Sequence, residues 1–208
     1  FLDIMVHDIN NANTIAIGYT QVLIDLLEGE QQEMARKMLA RFEQSSGIIA
    51  NVATLRRVRE SEAALVRVDL DAVIRAQVAD HPAIRYDSRP VAVLADGLLS
   101  DVFANLIGNA VKFGGPEVGI AIRVEDRGDD VVISVEDDGP GIPDDLKPRL
   151  FGRLSRGDHR AAGTGLGLYI CRMLIERYGG TIRAEDRVDG RPEEGTAVRF
   201  TLRKAPEE

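Results

Sequence analysis

The chain has 208 residues, 44% of them hydrophobic, and carries 26 Lys and Arg against 34 Asp and Glu, a formal net charge of −8. That length fits one or two domains with a sizeable core. The acidic excess (6 basic against 9 acidic residues up to position 66, 20 against 25 beyond it) excludes the basic face that nucleic-acid binding needs.

No apolar run reaches the ~18 residues that would span a bilayer, so no membrane contact is expected of this chain. Cys171 is the single cysteine; an intrachain disulfide is excluded and a reducing compartment, the cytoplasm, is expected. The chain starts on Phe1 with no secretory signal and reads as a piece of a longer protein.

Residues 1 to about 60 contain no Pro. Apolar or small residues recur at Ile9, Ala12, Ala16, Tyr19, Leu23 and Leu26, spaced three and four apart as a helix stripe requires. After the polar break Glu28-Gly29-Glu30, a second stripe runs through Met34, Met38, Phe42, Ser45, Ile49, Val52 and Leu55. Two long helices and a short turn make an αα-hairpin. A hairpin cannot hide both stripes alone, so pairing with a second copy into a four-helix bundle is expected, hence a homodimer.

From about residue 66 the pattern changes. Val66–Leu70 reads as a strand, Asp71–Asp80 as a helix ending before His81-Pro82, and Val91–Leu94 as a strand. Gly97–Phe113 is an apolar helix closed by Gly114-Gly115-Pro116. Ile120, Ile122, Val124 and Val131, Ile133, Val135 alternate with polar residues around Arg127–Asp130 and predict a β-hairpin. A helix from about Thr164 to Tyr178 stops at Gly179-Gly180. Strands over Thr181–Ala184 and Ala197–Leu202 close the chain. Strands and helices interleave without a repeated βαβ unit, which predicts an α+β sandwich: a mixed sheet with helices on one face. The expected division is 1–62 for the hairpin and 67–208 for the α/β part.

Three stretches carry chemistry. Asn105, Asn109 and Lys112 share one helix face amid Val102, Leu106, Ile107 and Ala110. Two carboxamides and an ammonium suit an oxygen donor for hydrated Mg²⁺ and a cation facing phosphate; a solvated stripe in line with Asp101 is the alternative. In Asp137-Asp138-Gly139-Pro140-Gly141-Ile142, Asp137 shares the parity of Val131, Ile133 and Val135, so its carboxylate points to the apolar face and needs a partner. An adenine amino group would serve, with the glycines admitting the base close to the backbone. Gly163-Thr164-Gly165-Leu166-Gly167-Leu168 opens a helix, whose free N–H groups and dipole suit phosphate.

In this order, the stretches resemble the N, G1 and G2 boxes of the ATP-binding domain shared by sensor histidine kinases, Hsp90, DNA gyrase and MutL. Leu150-Phe151-Gly152-Arg153-Leu154-Ser155-Arg156-Gly157-Asp158 resembles the F box of the kinases, with Leu154 where an aromatic is common. The resemblance covers roughly residues 67–204. It implies ATP and Mg²⁺ as cofactors, Asn109 as metal ligand, Asp137 as adenine reader supported by Thr196, and Pro143–Ala162 as a lid. It extends nucleotide contact to Asn105, Lys112, Phe113, Gly139, Gly141, Ile142, Arg156 and Gly163, Thr164, Gly165, Leu166, Gly167 and Leu168.

His7-Asp8-Ile9-Asn10-Asn11 on the first helix resembles the family's H box, with Asn10 for the usual Arg and Ala12 for the usual Pro. A lone helical His is ordinarily a surface or packing residue; the ATP motifs downstream make His7 the phosphoacceptor. Asp8 can accept one ring proton and free the other nitrogen's lone pair. Asn11, one turn on, matches the residue that in the family orients water to hydrolyse the phospho-aspartate of a response regulator. The resemblance thus implies an autophosphorylating, homodimeric histidine kinase that passes phosphoryl to a response regulator receiver domain and also dephosphorylates it. It further implies a sensor upstream, either soluble or membrane-bound. The alternative is a degenerate kinase acting as a dimeric scaffold. An Hsp90- or MutL-type ATPase fits less well, because Asn105 and Asn109 are amides where those enzymes use a carboxylate.

Overall fold

The computed structural model describes residues 2–60, 64–79, 81, 83–152 and 165–206. Two long helices, α1 (Leu2–Leu26) and α2 (Gly29–Glu60), form the expected hairpin. Its internal seam is small and polar. Asn13, Thr20 and Ala35 are buried, Asn13 Nδ2 donates to Ser45 Oγ at 3.1 Å, and Thr20 Oγ1 donates to the Ala16 carbonyl. Ile9, Tyr19, Leu23 and Leu26 of the first stripe, and Met34, Met38 and Val52 of the second, stay exposed, Tyr19 at 72% and Leu26 at 74%.

The rest is α+β. β1 (Val66–Asp69), α3 (Leu70–Val78), β2 (Arg85–Tyr86), β3 (Ala92–Ala95), α4 (Leu99–Gly114), β4 (Ile120–Arg127), β5 (Asp130–Asp137), α5 (Gly167–Arg177), β6 (Ile182–Val188) and β7 (Arg191–Arg203) follow in chain order. A five-stranded sheet runs β2-β4-β5-β7-β6, and β1 pairs with β3 in a second sheet. Only β2–β4 is parallel, so the large sheet is mixed, as expected.

The core lies between the large sheet and the three helices α3, α4 and α5. Ile120, Ile122 and Val124 of β4, with Val131, Ile133 and Val135 of β5, meet Phe103, Leu106 and Ile107 of α4 and Ile170, Leu174 and Ile175 of α5, all buried. Phe103 and Phe200 pack edge-on, with ring centroids 5.7 Å apart. Burying these faces supplies most of the stability, at ~25 cal/mol per Å² of apolar surface.

Three local expectations need correction. β1 ends at Asp69 and α3 begins at Leu70, because the Asp69 side chain accepts from Ala72 N at 3.1 Å and caps the helix. Strand β2 was not expected. Two residues carry no periodicity; the strand is held by parallel pairing with β4, and Tyr86 Oη also donates to Asp71 Oδ1 at 2.8 Å. The closing strands are longer than the apolar runs suggested. They continue through charged residues at the sheet edge to a turn at Asp189-Gly190, where Gly190 has φ +71, and edge strands favour such charges.

The end of α2 rests against the α/β part. Leu55 and Val58 pack on the core. Thr54 Oγ1 (3.1 Å) and Arg57 Nη2 (3.0 Å) both donate to Asp101 Oδ2 on α4.

Candidate active site

The site assembles where α4 ends, β5 ends and α5 begins. Helix α4 presses Val102, Phe103, Leu106, Ile107 and Ala110 into the core. The adjoining stripe of Asp101, Asn105 and Asn109, at i, i+4 and i+8, is therefore half-buried at the rim. Asp101 is not part of a solvated stripe, since it takes the two hydrogen bonds from α2. Asn105 Nδ2 donates to the Asp101 carbonyl at 2.8 Å. The Asn105 carboxamide oxygen abuts Gly167, where a Cβ would come within 2.5 Å of it. A side chain on the first residue of α5 would displace the Asn105 carboxamide, so Asn105 links α4 to α5. Asn109 is one turn further along the same face, with Lys112 and Phe113 beyond it. Lys112 Nζ lies 5.2 Å from the Phe113 ring centroid, and partial burial lowers the Lys112 pKa from its ordinary value.

Asp137 is the last residue of β5. Its carboxylate is half-buried, and burial raises its pKa above the ordinary 3.8 against the opposing effect of backbone N–H donors. One donor is Gly139 N, 3.0 Å from Oδ1. Across the ladder Asp137 pairs with Thr196, whose side chain is buried. Asp138 behaves as a turn residue, accepting from Gly119 N at 2.7 Å. Gly141 has φ +70 and a Cβ there would fall 1.5 Å from the Pro192 carbonyl oxygen, so the loop after Asp137 lies directly on the start of β7. Ile142 is half-buried beside it. Gly165, Leu166 and Leu168 flank the start of α5 at half-burial. Arg156, Gly163 and Thr164 lie outside the described residues, as does the rest of the expected lid from Arg153 to Ala162.

The structure thus joins Asn105 to Gly167, and Asp137 to Gly139 and Thr196, with Gly139 set against Gly114 at the end of the helix that carries Asn109 and Lys112. His7 lies elsewhere, on α1. Its side chain is 73% exposed, with Nδ1 3.3 Å from Asp8 Oδ1. Asn11 Nδ2 approaches Nδ1 at 3.3 Å and Nε2 at 3.4 Å. With Nδ1–H donating to Asp8, the Nε2 lone pair is left to face Asn11 or an electrophile.

A family model described as histidine kinase-, DNA gyrase B-, and HSP90-like ATPase matches residues 96–206, a little over half of the chain. The signal transduction histidine-protein kinase AfsQ2 of Streptomyces coelicolor is 32% identical over 98% of this chain and 41% of its own length. The chain belongs to the sensor histidine kinase family. Among solved structures, full-length ShkA in complex with AMPPNP is similar with a TM-score of 0.67 and 26% identity, covering 99% of this chain and 46% of that one. ThkA in complex with the response regulator protein TrrA is similar with a TM-score of 0.62 and 26% identity, covering 98% and 61%. This histidine kinase chain therefore spans less than two thirds of each of these relatives. None of its described helices is long and apolar enough to cross a membrane.

Sequence reasoning missed two groups in this histidine kinase: the Thr54–Arg57–Asp101 contact, and Lys147, which ion-pairs with Asp144 and Asp186. Thr54 and Arg57 reach Asp101, and Lys147 reaches Asp186, across distant parts of the chain, and no local periodicity signals such pairs.

Proposed function

We propose that the chain binds ATP between α4, the Asp137 loop and the start of α5, and transfers the γ-phosphoryl group to His7. The observation that carries this reading is the pairing of half-buried Asp137, opposite buried Thr196, with the Asn109 rim, on the same chain as an exposed His7 flanked by Asp8 and Asn11. Asp137 accepts from the adenine amino group, and Gly139 and Gly141 let the base lie against the backbone. Lys112 faces the phosphates. No group of three or more His, Cys, Asp or Glu suited to a metal occurs among the described residues. A lone Asn109 oxygen at the rim nonetheless fits Mg²⁺, which takes few protein ligands and keeps its waters and substrate phosphates. When bound, Mg²⁺ supplies charge neutralisation at the phosphate oxygens.

Asp8 holds the Nδ1 proton, so His7 Nε2 forms the bond to the γ-phosphorus as the bond to the bridging oxygen breaks and ADP leaves. The chain divides into a hairpin, 1–62, and an ATP-binding domain, 67–208. Two copies pair through the exposed Ile9, Tyr19, Leu23 and Leu26 face, because large apolar side chains exposed along one helix face mark an association surface. The phosphoryl group passes to an aspartate of a response regulator; the likeness to ThkA, solved with TrrA, supports that class of partner. Asn11, within reach of His7, orients water for the reverse hydrolysis.

Incubation with ATP labelled at the γ-phosphate tests this. Acid-labile, base-stable label on the wild type, absent from His7→Gln and Asn109→Asp, is the expected result. Label surviving His7→Gln refutes the acceptor assignment. ATP binding with no label on the wild type refutes the kinase reading in favour of a dimeric scaffold.

A further inference from the structure

The segment that follows the Asp137 loop is fastened to the far edge of the sheet. Asp137 pairs with Thr196 across β5–β7, and Thr196 pairs with Asp186 across β7–β6. The three residues therefore form one cross-strand row on the helix-covered face of the sheet. Pro143, Leu146 and Lys147–Arg149 make a tight 3-10 turn, with Leu146 N and Lys147 N both donating to the Pro143 carbonyl. From this turn Lys147 sends Nζ down onto Asp186 Oδ1 at the end of the row, and also reaches Asp144 Oδ1 at 2.5 Å. Phe151, four residues on, is buried. The turn is thus pinned at both ends.

Burial separates the two carboxylates. The side chains of Lys147 and Asp186 are 13% and 14% exposed, whereas Asp144 is 79% exposed. A shielded ion pair adds little net stability over an apolar contact of the same size, because desolvation offsets the attraction. It does fix one register, since any other placement leaves the shielded Asp186 carboxylate without Lys147, whose remaining partner Asp144 travels with the turn. Neutralising Asp186 also removes a negative charge from a row whose other end is Asp137, where a polyanion is to bind.

We propose that the Lys147–Asp186 pair is a positioning element for the nucleotide, holding the Pro143–Gly152 segment in register over the Asp137–Thr196–Asp186 row and thereby setting affinity for ATP. The proposal rests on the reading of the Asp137 rim as the adenine site. Neither side chain is assigned contact with the reacting atoms.

The test is titration of this chain with a fluorescent ATP analogue, beside thermal melting and the kcat and KM of autophosphorylation. Lys147→Met and Asp186→Asn are each expected to weaken binding about tenfold, ~1.4 kcal/mol. KM rises by the same factor with kcat within about twofold, the mark of lost uniform binding. Lys147→Arg restores affinity, and Asp144→Asn, at the exposed partner, leaves it unchanged. A purely structural pair would instead lower the melting temperature and leave the affinity of the folded protein untouched. Asp186→Asn removes only charge, so it decides the question if Lys147→Met does not fold. Unchanged affinity in Asp186→Asn, with Asp137→Asn strongly impaired, overturns the proposal alone. Unchanged affinity in Asp137→Asn overturns the adenine-site reading and this proposal with it.

Discussion

Replacing Gly141 with Ala separates backbone strain from damage to the nucleotide site. Gly141 has φ +70, and its added Cβ would stand 1.5 Å from the Pro192 carbonyl oxygen. A carbon and a carbonyl oxygen approach no closer than roughly 3.3 Å. Either the loop after Asp137 or the start of β7 must then move by nearly 2 Å. The positive φ alone disfavours Ala by about 1–2 kcal/mol. Gly128 isolates that second effect: it has φ +82 in the β4–β5 turn, with nothing within 4 Å of its would-be Cβ. Gly128→Ala should lower the melting temperature by about 2–8 °C, given 2–4 °C per kcal/mol at this size, and leave ATP affinity unchanged. Gly141→Ala should melt at least as early and also bind ATP at least tenfold more weakly, because Asp137 and Gly139 sit on the loop that moves. Fluorescent-nucleotide titration with parallel melting curves reads both. Equal ATP affinity in the two variants refutes the argument that the contact with Pro192 fixes the site.

Asp137 should make ATP binding acid-sensitive. Burial raises its pKa, so binding weakens on acidification at a higher pH than an ordinary carboxylate predicts, and the Asp137→Asn variant, weak throughout, shows no such dependence. The linkage sign is also testable. A raised folded pKa means the destabilisation from burying this charge is fully present above that pKa and vanishes below the unfolded value. Asp137→Asn should therefore stabilise the nucleotide-free protein at neutral pH, by a margin that shrinks in acid. Asp101→Ala removes the acceptor for Thr54 and for the largely exposed Arg57. On the order of 1–2 kcal/mol of docking is lost, seen as faster hydrogen exchange in residues 50–58 with none in residues 30–45. Leu26→Asp with Tyr19→Asp should convert the proposed dimer to a monomer in sedimentation velocity while leaving ATP affinity intact, and a wild type that sediments as a monomer refutes the pairing.

The sequence by itself determined the elements whose faces repeat. The two hairpin helices followed from spacings of three and four, although much of that apolar stripe stays exposed in the single chain, and the β4–β5 pair followed from strict alternation, because burial of one face imprints its period on the chain. The rim was also legible: Asp137 betrayed itself by carrying a carboxylate at a buried parity, and Asn105 and Asn109 by placing amides on an apolar helix. Tertiary structure decided the rest. It assigned the Asn105 carboxamide to the junction with Gly167 and gave Asp101 to Thr54 and Arg57, 47 and 44 residues away. It extended β6 and β7 through charged residues, because pairing with a neighbouring strand satisfies their backbone where composition argues against a strand. It also placed Lys147 on Asp186, across 39 residues. A one-dimensional period records which face of an element is buried. Which two polar groups meet there depends on how separate elements pack, and that is set only when the chain closes on itself.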